Sequence, residues 1–218
     1  MSINQQHSFW GSLSPLGGLT GAGLLIMASA RLSWAITIAG SLFWVYGLTA
    51  LTFAFLVSSG KKFLPVGGHT VLYVCLASFW GSLYLLIFWL LCPLAALEVF
   101  LLLLLVPLFC ASSGVAEQIA SSMENTQHEI MDSVLEVIYQ AAVLAGLIVA
   151  FSIVREPLSY CSLSVPGSYQ GMVMIISFKP GSFFPIEIFS SSAGALLLLG
   201  YIVCLYQYSK SNFKRGER

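Results

Sequence analysis

The chain has 218 residues, 58% of them hydrophobic and 8% charged, with a mean hydropathy of +0.89. That composition excludes a soluble globular domain and describes a chain that crosses a membrane several times. Nine basic and nine acidic residues cancel, so the charge favours no nucleic-acid partner.

In chain order, a polar start (Met1–His7) lacks a basic n-region, so the first apolar segment is expected to stay in the mature protein. Segment one runs from Phe9 to about Ala30, and the Pro and two Gly of S-L-S-P-L-G-G (Ser12–Gly18) predict a broken or re-entrant helix. Segment two, Leu32–Val57, exceeds the roughly 20 residues a span needs. A loop with Lys61, Lys62, Pro65 and Gly67–Gly68 leads to segment three, about Thr70–Leu91. Segment four is Leu94–Ser113. Within it five leucines reach Pro107, Cys110 follows one turn later, and the chain turns polar. A proline cannot donate the next helical hydrogen bond, so this predicts a membrane helix broken beside a soft thiol. Val115–Asp132 is the most polar stretch and holds Glu117, Glu124, His128, Glu129 and Asp132. Segment five is Ser133–Val154, Arg155–Pro185 is a long connection, and segment six runs from about Ile186 to Tyr208 before a basic tail, Ser209–Arg218.

The expected fold is therefore all-α: a single membrane domain of about six transmembrane segments. With six segments both termini share a side. Six Lys and Arg (Lys61, Lys62, Lys210, Lys214, Arg215, Arg218) then face three (Arg31, Arg155, Lys179), which favours cytoplasmic termini. The halves also echo each other. Ser14–Pro15 breaks the first segment, Cys110 sits in a broken fourth, and charged pairs follow each at similar distances. Three spans per half predict an inverted 3+3 repeat, with repeat one over 8–91 and repeat two over 94–208.

Four stretches resemble the paired six-span membrane subunits of the Rnf and Nqr complexes. S-L-S-P-L-G-G-L-T (Ser12–Thr20) resembles the family's G-L-C-P-L-L-A-V-T, and F-C-A-S-S-G-V-A-E (Phe109–Glu117) its N-C-I-V-M-G-R-A-E. Asp132 falls where the family opens its fifth helix with Asp-Gly. S-I-V-R-E-P-L-S-Y-C-S-L (Ser152–Leu163) resembles S-I-V-R-E-F-F-G-F-G-T-I and is the most specific match. The apolar final helix with a basic tail fits the Nqr D / Rnf E side of the pair.

The resemblance implies a subunit of a bacterial inner-membrane complex that couples electron transfer to Na⁺ or H⁺ translocation. It implies partnership with a homologous six-helix subunit and other subunits of that type. It also implies a 2Fe-2S cluster shared with that homologue, to which thiolates are suited and four are usual. Cys110 occupies one of the family's cysteine positions. Ser14 occupies the other, where a hydroxyl is a poorer iron ligand than a thiolate.

Each candidate has two readings. Cys110 is a cluster ligand or a small buried hydrophobe. Ser14 is a ligand or a hydroxyl at a helix break. Arg155 and Glu156 form a functional ion pair near the external surface, or an interfacial charge pair ending helix five. Glu117 and Asp132 line a cation path or serve as loop and capping carboxylates, Asp132 being well placed to cap segment five. Glu98 and Glu136 face the interior or snorkel outward, and His128 lacks partners at metal-ligand spacing. No nucleophile–base pair, phosphate loop or Cys-x-x-Cys is present, so self-contained catalysis is not expected.

Overall fold

A computed structural model describes residues 23, 25–60, 68–112, 127–167, 171–177 and 187–216. Ser14, the broken part of segment one, the Lys61–Lys62 loop and Glu117 lie outside these residues. The chain is mostly helical. Its elements are α1 (Leu32–Gly60), α2 (Gly68–Leu91), α3 (Pro93–Ser112), α4 (Gln127–Tyr160), strands β1 (Ser162–Gly167) and β2 (Gly171–Ser177), a 3-10 helix (Glu187–Ser190) and α5 (Ser192–Gly216). Among the described residues, α1 to α4 are long and apolar enough to cross a membrane, and α5 carries a shorter apolar stretch, Ser192–Ile202. This is a multi-pass membrane protein.

Helix α1 is the centre of the bundle and packs on α2, α3, α4 and β1. Its inward residues are small or hydroxylated: Ser33, Ala35, Thr37, Ala39, Ser41, Thr49 and Ala50 are all buried. In lipid, where tails are as apolar as leucine, such residues allow the close backbone approach that holds helices together. Two hydroxyls bond back to their own helix, Thr37 Oγ1 to Ser33 O at 2.8 Å and Ser41 Oγ to Ile38 O at 2.8 Å, so their burial leaves no loose donor. Gly40 lets α2 approach: a Cβ there would stand 2.9 Å from the Tyr84 hydroxyl, which donates to Thr37 O at 3.0 Å.

Contacts fix the directions of the helices. Phe53 meets Tyr73 and Thr52 meets Trp80, so α1 and α2 are antiparallel. Tyr73 meets Cys110 and Gly81 meets Pro107, so α2 and α3 are antiparallel as well. Leu32, at the start of α1, meets Glu156, near the end of α4. The starts of α1 and α3 and the end of α4 therefore share one end of the bundle.

Four expectations are corrected. The fourth segment is not broken at Pro107, because α3 runs through it to Ser112. Its ring lies against Gly81 of α2, where the missing Cβ leaves room for it. The fifth helix is longer at both ends, from Gln127 to Tyr160, so Asp132 is an exposed residue inside α4 rather than its cap. Arg155, Glu156 and Pro157 belong to that helix and not to a connection; the two charges find partners inside the protein, so the helix need not stop at them. Within the expected connection an antiparallel hairpin forms instead, β1 on β2, so the chain is not purely helical. Cys161, at φ 51°, supplies the left-handed residue that ends α4, and its amide donates to Pro157 O at 3.1 Å. Residues 209–216 of the basic tail continue the helix α5.

The contact of Gly81 with Pro107 gives a double-mutant test. Gly81→Val overpacks the α2–α3 interface and is expected to cost about 1–3 kcal/mol, read as a lowered unfolding midpoint of the purified chain in micelles. Adding Pro107→Ala, which removes the opposing ring, is expected to recover much of that loss, whereas two independent sites would simply add.

Candidate functional site

Of the residues singled out by the sequence, those described fall at opposite ends of the bundle. Arg155 and Glu156 lie at the end where α4 finishes. They are buried, with 2% exposure each, although α4 is an otherwise apolar span. A charge at such depth is costly unless paired or fully hydrogen-bonded. Consecutive residues on a helix project about 100° apart, and these two engage different partners.

Arg155 spends all of its donors on helix ends. Nε donates to Phe189 O at 2.8 Å, and Nη1 to Ile26 O at 2.7 Å and Ser29 Oγ at 3.2 Å. Nη2 donates to Ser190 O and Ser191 O, both at 3.1 Å. Five bonds match the five N–H groups of a guanidinium. Four of the acceptors are backbone carbonyls, at the helical turn 25–28 and at the end of the 3-10 helix. Ile26 O, Phe189 O and Ser190 O lie at the negative ends of helical segments, whereas Ser191 O stands at the opening of α5 and also accepts from the Ala195 amide at 3.1 Å.

Glu156 does the converse. Its Oε2 accepts from the amide of Leu32, the first residue of α1, at 2.8 Å, and its Oε1 accepts from Ser164 Oγ of β1 at 2.6 Å. A carboxylate at a helix N-terminus is favoured by the exposed amides and the helix dipole. Arg31, which precedes α1, has no side chain able to accept from these amides, so Glu156 supplies the cap from another helix. The expected ion pair near the external surface is thus corrected: the two side chains brace four neighbouring segments.

Around this junction lies a belt of interfacial residues. The Arg31 guanidinium sits over the rings of Trp34 (5.8 Å) and Tyr160 (5.1 Å), and its Nη1 is 3.0 Å from Met172 Sδ of β2. Trp34 Nε1 donates to Glu98 Oε2 of α3 at 3.5 Å. Trp, Tyr and charged groups gathered at one level are what the membrane–water boundary selects. Glu98 is thereby placed at the boundary, with its side chain exposed.

Cys110 lies near the other end, on the last turn of α3, wholly buried. Its Sγ is 3.3 Å from the Tyr73 hydroxyl. Phe53 stacks edge-on against Tyr73 at 5.3 Å, and Tyr46 lies 6.0 Å from Phe109. Among the described residues no group of three or more His, Cys, Asp or Glu could hold a metal ion. Cys110 is thus a buried thiol whose sulfur lies against a phenol of its own chain. Asp132 and Glu136 are exposed on the early turns of α4, and Glu136 accepts from Gln140 Nε2 at 3.4 Å.

The sequence reading missed Tyr73, Ser29, Ser164 and Arg31. Ser164 was findable: S-L-S-V alternates polar with apolar at period two, and the Pro and Gly after it separate it from a second short run, M-V-M-I-I, which is a hairpin signal. Ser29 and Tyr73 carry no local signal, because only packing brings them to Arg155 and Cys110. Neither the known protein families nor characterised proteins match this sequence.

Removing either member of the junction tests its role. Arg155→Ala removes five hydrogen bonds that tie α4 to the turn 25–28 and the 3-10 helix, and is expected to cost about 2–5 kcal/mol. Arg155→Lys is expected to rescue little, since an ammonium cannot span five diverging acceptors. Glu156→Gln keeps one good acceptor and is expected to lose about 1 kcal/mol, less than Glu156→Ala. Denaturant midpoints of the purified variants in lipid micelles give the ranking.

Proposed function

We propose that this chain is a membrane subunit of an Rnf/Nqr-type complex coupling electron transfer to Na⁺ or H⁺ translocation, in the structural, cluster-free role. The observation that carries the structural role is the junction at Arg155 and Glu156. The stretch most specifically similar to that family, S-I-V-R-E-P at Ser152–Pro157, is the stretch whose two charges tie together α1, β1, the turn 25–28 and the 3-10 helix. Burial of Cys110 against the Tyr73 hydroxyl supports the cluster-free role. On this reading the chain belongs to a bacterial inner membrane with cytoplasmic termini. It has six segments in an inverted 3+3 repeat, and its partner is a homologous subunit. Electron donors and redox centres are supplied by partners, and Glu117 and Asp132 are the carboxylates that would line a cation path.

The test is low-temperature EPR with iron analysis on the anaerobically purified complex, wild type beside Cys110→Ala. The expected result is co-purification with redox subunits and a 2Fe-2S signal unchanged by the substitution. A signal lost in Cys110→Ala overturns the cluster-free role and makes Cys110 a ligand. A chain that purifies without redox subunits and moves a solute into vesicles by itself overturns the whole proposal in favour of an independent transporter.

A further inference from the structure

The hairpin at the Arg155 end has a composition that water does not explain. In β2, Gly171 is buried and Met172 half-buried, but Val173, Met174, Ile175 and Ile176 are all exposed. Successive strand residues point to opposite faces, so both faces of β2 are apolar. A strand packed on protein on one side and wetted on the other would alternate apolar with polar residues.

Position supplies the second observation. β1 packs on α1 and α4, and β2 lies beside α3. The hairpin starts where α4 ends, at Tyr160, and Gly171, the first residue of β2, reaches the start of α3. There a Cβ on Gly171 would stand 3.6 Å from Leu94 Cβ and 3.4 Å from Glu98 Oε1. Both helix ends are at the same end of the bundle, so the strands run across it, along the membrane plane. The level is marked by Arg31, which lies over Trp34 and Tyr160 and contacts Met172. Beyond Leu94 the outward face of α3 continues with Leu97, Leu101 and Leu104, all exposed. The apolar side chains of β2 thus prolong a surface that already faces lipid.

The backbone decides the depth. Among the described residues the sheet has two strands, so one edge of β2 carries amides and carbonyls without a strand partner. In hydrocarbon such an edge is prohibitively costly, whereas water and headgroups satisfy it at the interface. Apolar side chains on both faces and an unpaired polar edge fit together in that layer, with side chains reaching the upper acyl chains.

We infer that the β1–β2 hairpin is a membrane-anchoring element that lies in the interfacial layer, with Val173–Ile176 in contact with phospholipid acyl chains. It braces the bundle against the bilayer surface beside the Arg155–Glu156 junction, and it holds whether or not the electron-transport reading does.

The test needs no substitution. The full native chain is reconstituted into vesicles of phosphatidylcholine and phosphatidylglycerol containing a trace of phospholipid with an acyl-chain diazirine. The diazirine is placed next to the headgroup or at the chain end, and photolabelled peptides are mapped by mass spectrometry. The expected result is label on the β2 peptide from the headgroup-proximal probe, falling away with the chain-end probe, while Leu101 and Leu104 of α3 take label from the deeper probe. Label on α3 but none on β2 from either probe overturns the inference, and means that water or a partner protein covers the strand. Equal labelling of β2 by both probes overturns the interfacial depth. A nitroxide at Ile175→Cys, in a chain whose native cysteines are replaced, gives an independent readout. Collisions with oxygen exceeding those with a water-soluble nickel chelate support the inference, and the reverse order overturns it.

Discussion

Helix ends have nowhere to go in a membrane. Each end leaves backbone groups without intrahelical partners, and hydrocarbon offers no water to take them. Here one turn of α4 deals with the problem for several segments at once. Arg155 presents its positive fork to carbonyls at the ends of the turn 25–28 and the 3-10 helix, and Glu156 presents its negative carboxylate to the amide that opens α1. Each charge faces the dipole end of opposite sign, so the desolvation of both is offset without a direct ion pair. Because the two residues are adjacent on one rigid helix, the positions of their partners are set relative to each other.

The rest of the bundle follows from α1 being held in this way. Its buried face is made of small and hydroxylated residues, so neighbouring helices come close, and Tyr84 reaches the backbone of α1 over Gly40. The exteriors of α2 and α3 stay apolar because lipid, not water, is outside: Phe79, Leu86, Trp89, Leu97 and Leu101 are all exposed. Polarity thus marks the inside of this protein in places and apolarity its outside, the reverse of a soluble core.

Two ends with different chemistry emerge. One gathers charges, aromatic rings and a hairpin at the membrane boundary, and its charged groups are committed to structure. The other holds a buried thiol against a phenol, with carboxylates exposed on the early turns of α4. A role for Arg155 and Glu156 in moving ions would require them to release their partners, and with them the start of α1. The geometry favours a bracing role for these two residues.

Much of this was legible in the residues. Membrane residence, and the existence and approximate bounds of α1, α2 and α3, follow from long apolar runs, because an apolar stretch of sufficient length has no other stable place. The importance of Arg155 and Glu156 was legible too, since charges beside an apolar span are costly unless they have a function or a partner. What only the tertiary structure decided was the identity of those partners. Ile26, Ser29, Leu32 and Phe189 are distant in sequence from Arg155 and Glu156 and carry no signal of their own. The continuity of α3 through Pro107 was decided in the same way, by a glycine on another helix. Local composition determines whether a segment can live in a membrane; where a helix may pass a proline or carry a buried charge depends on what packed neighbours offer it, and that is settled only when the chain is folded.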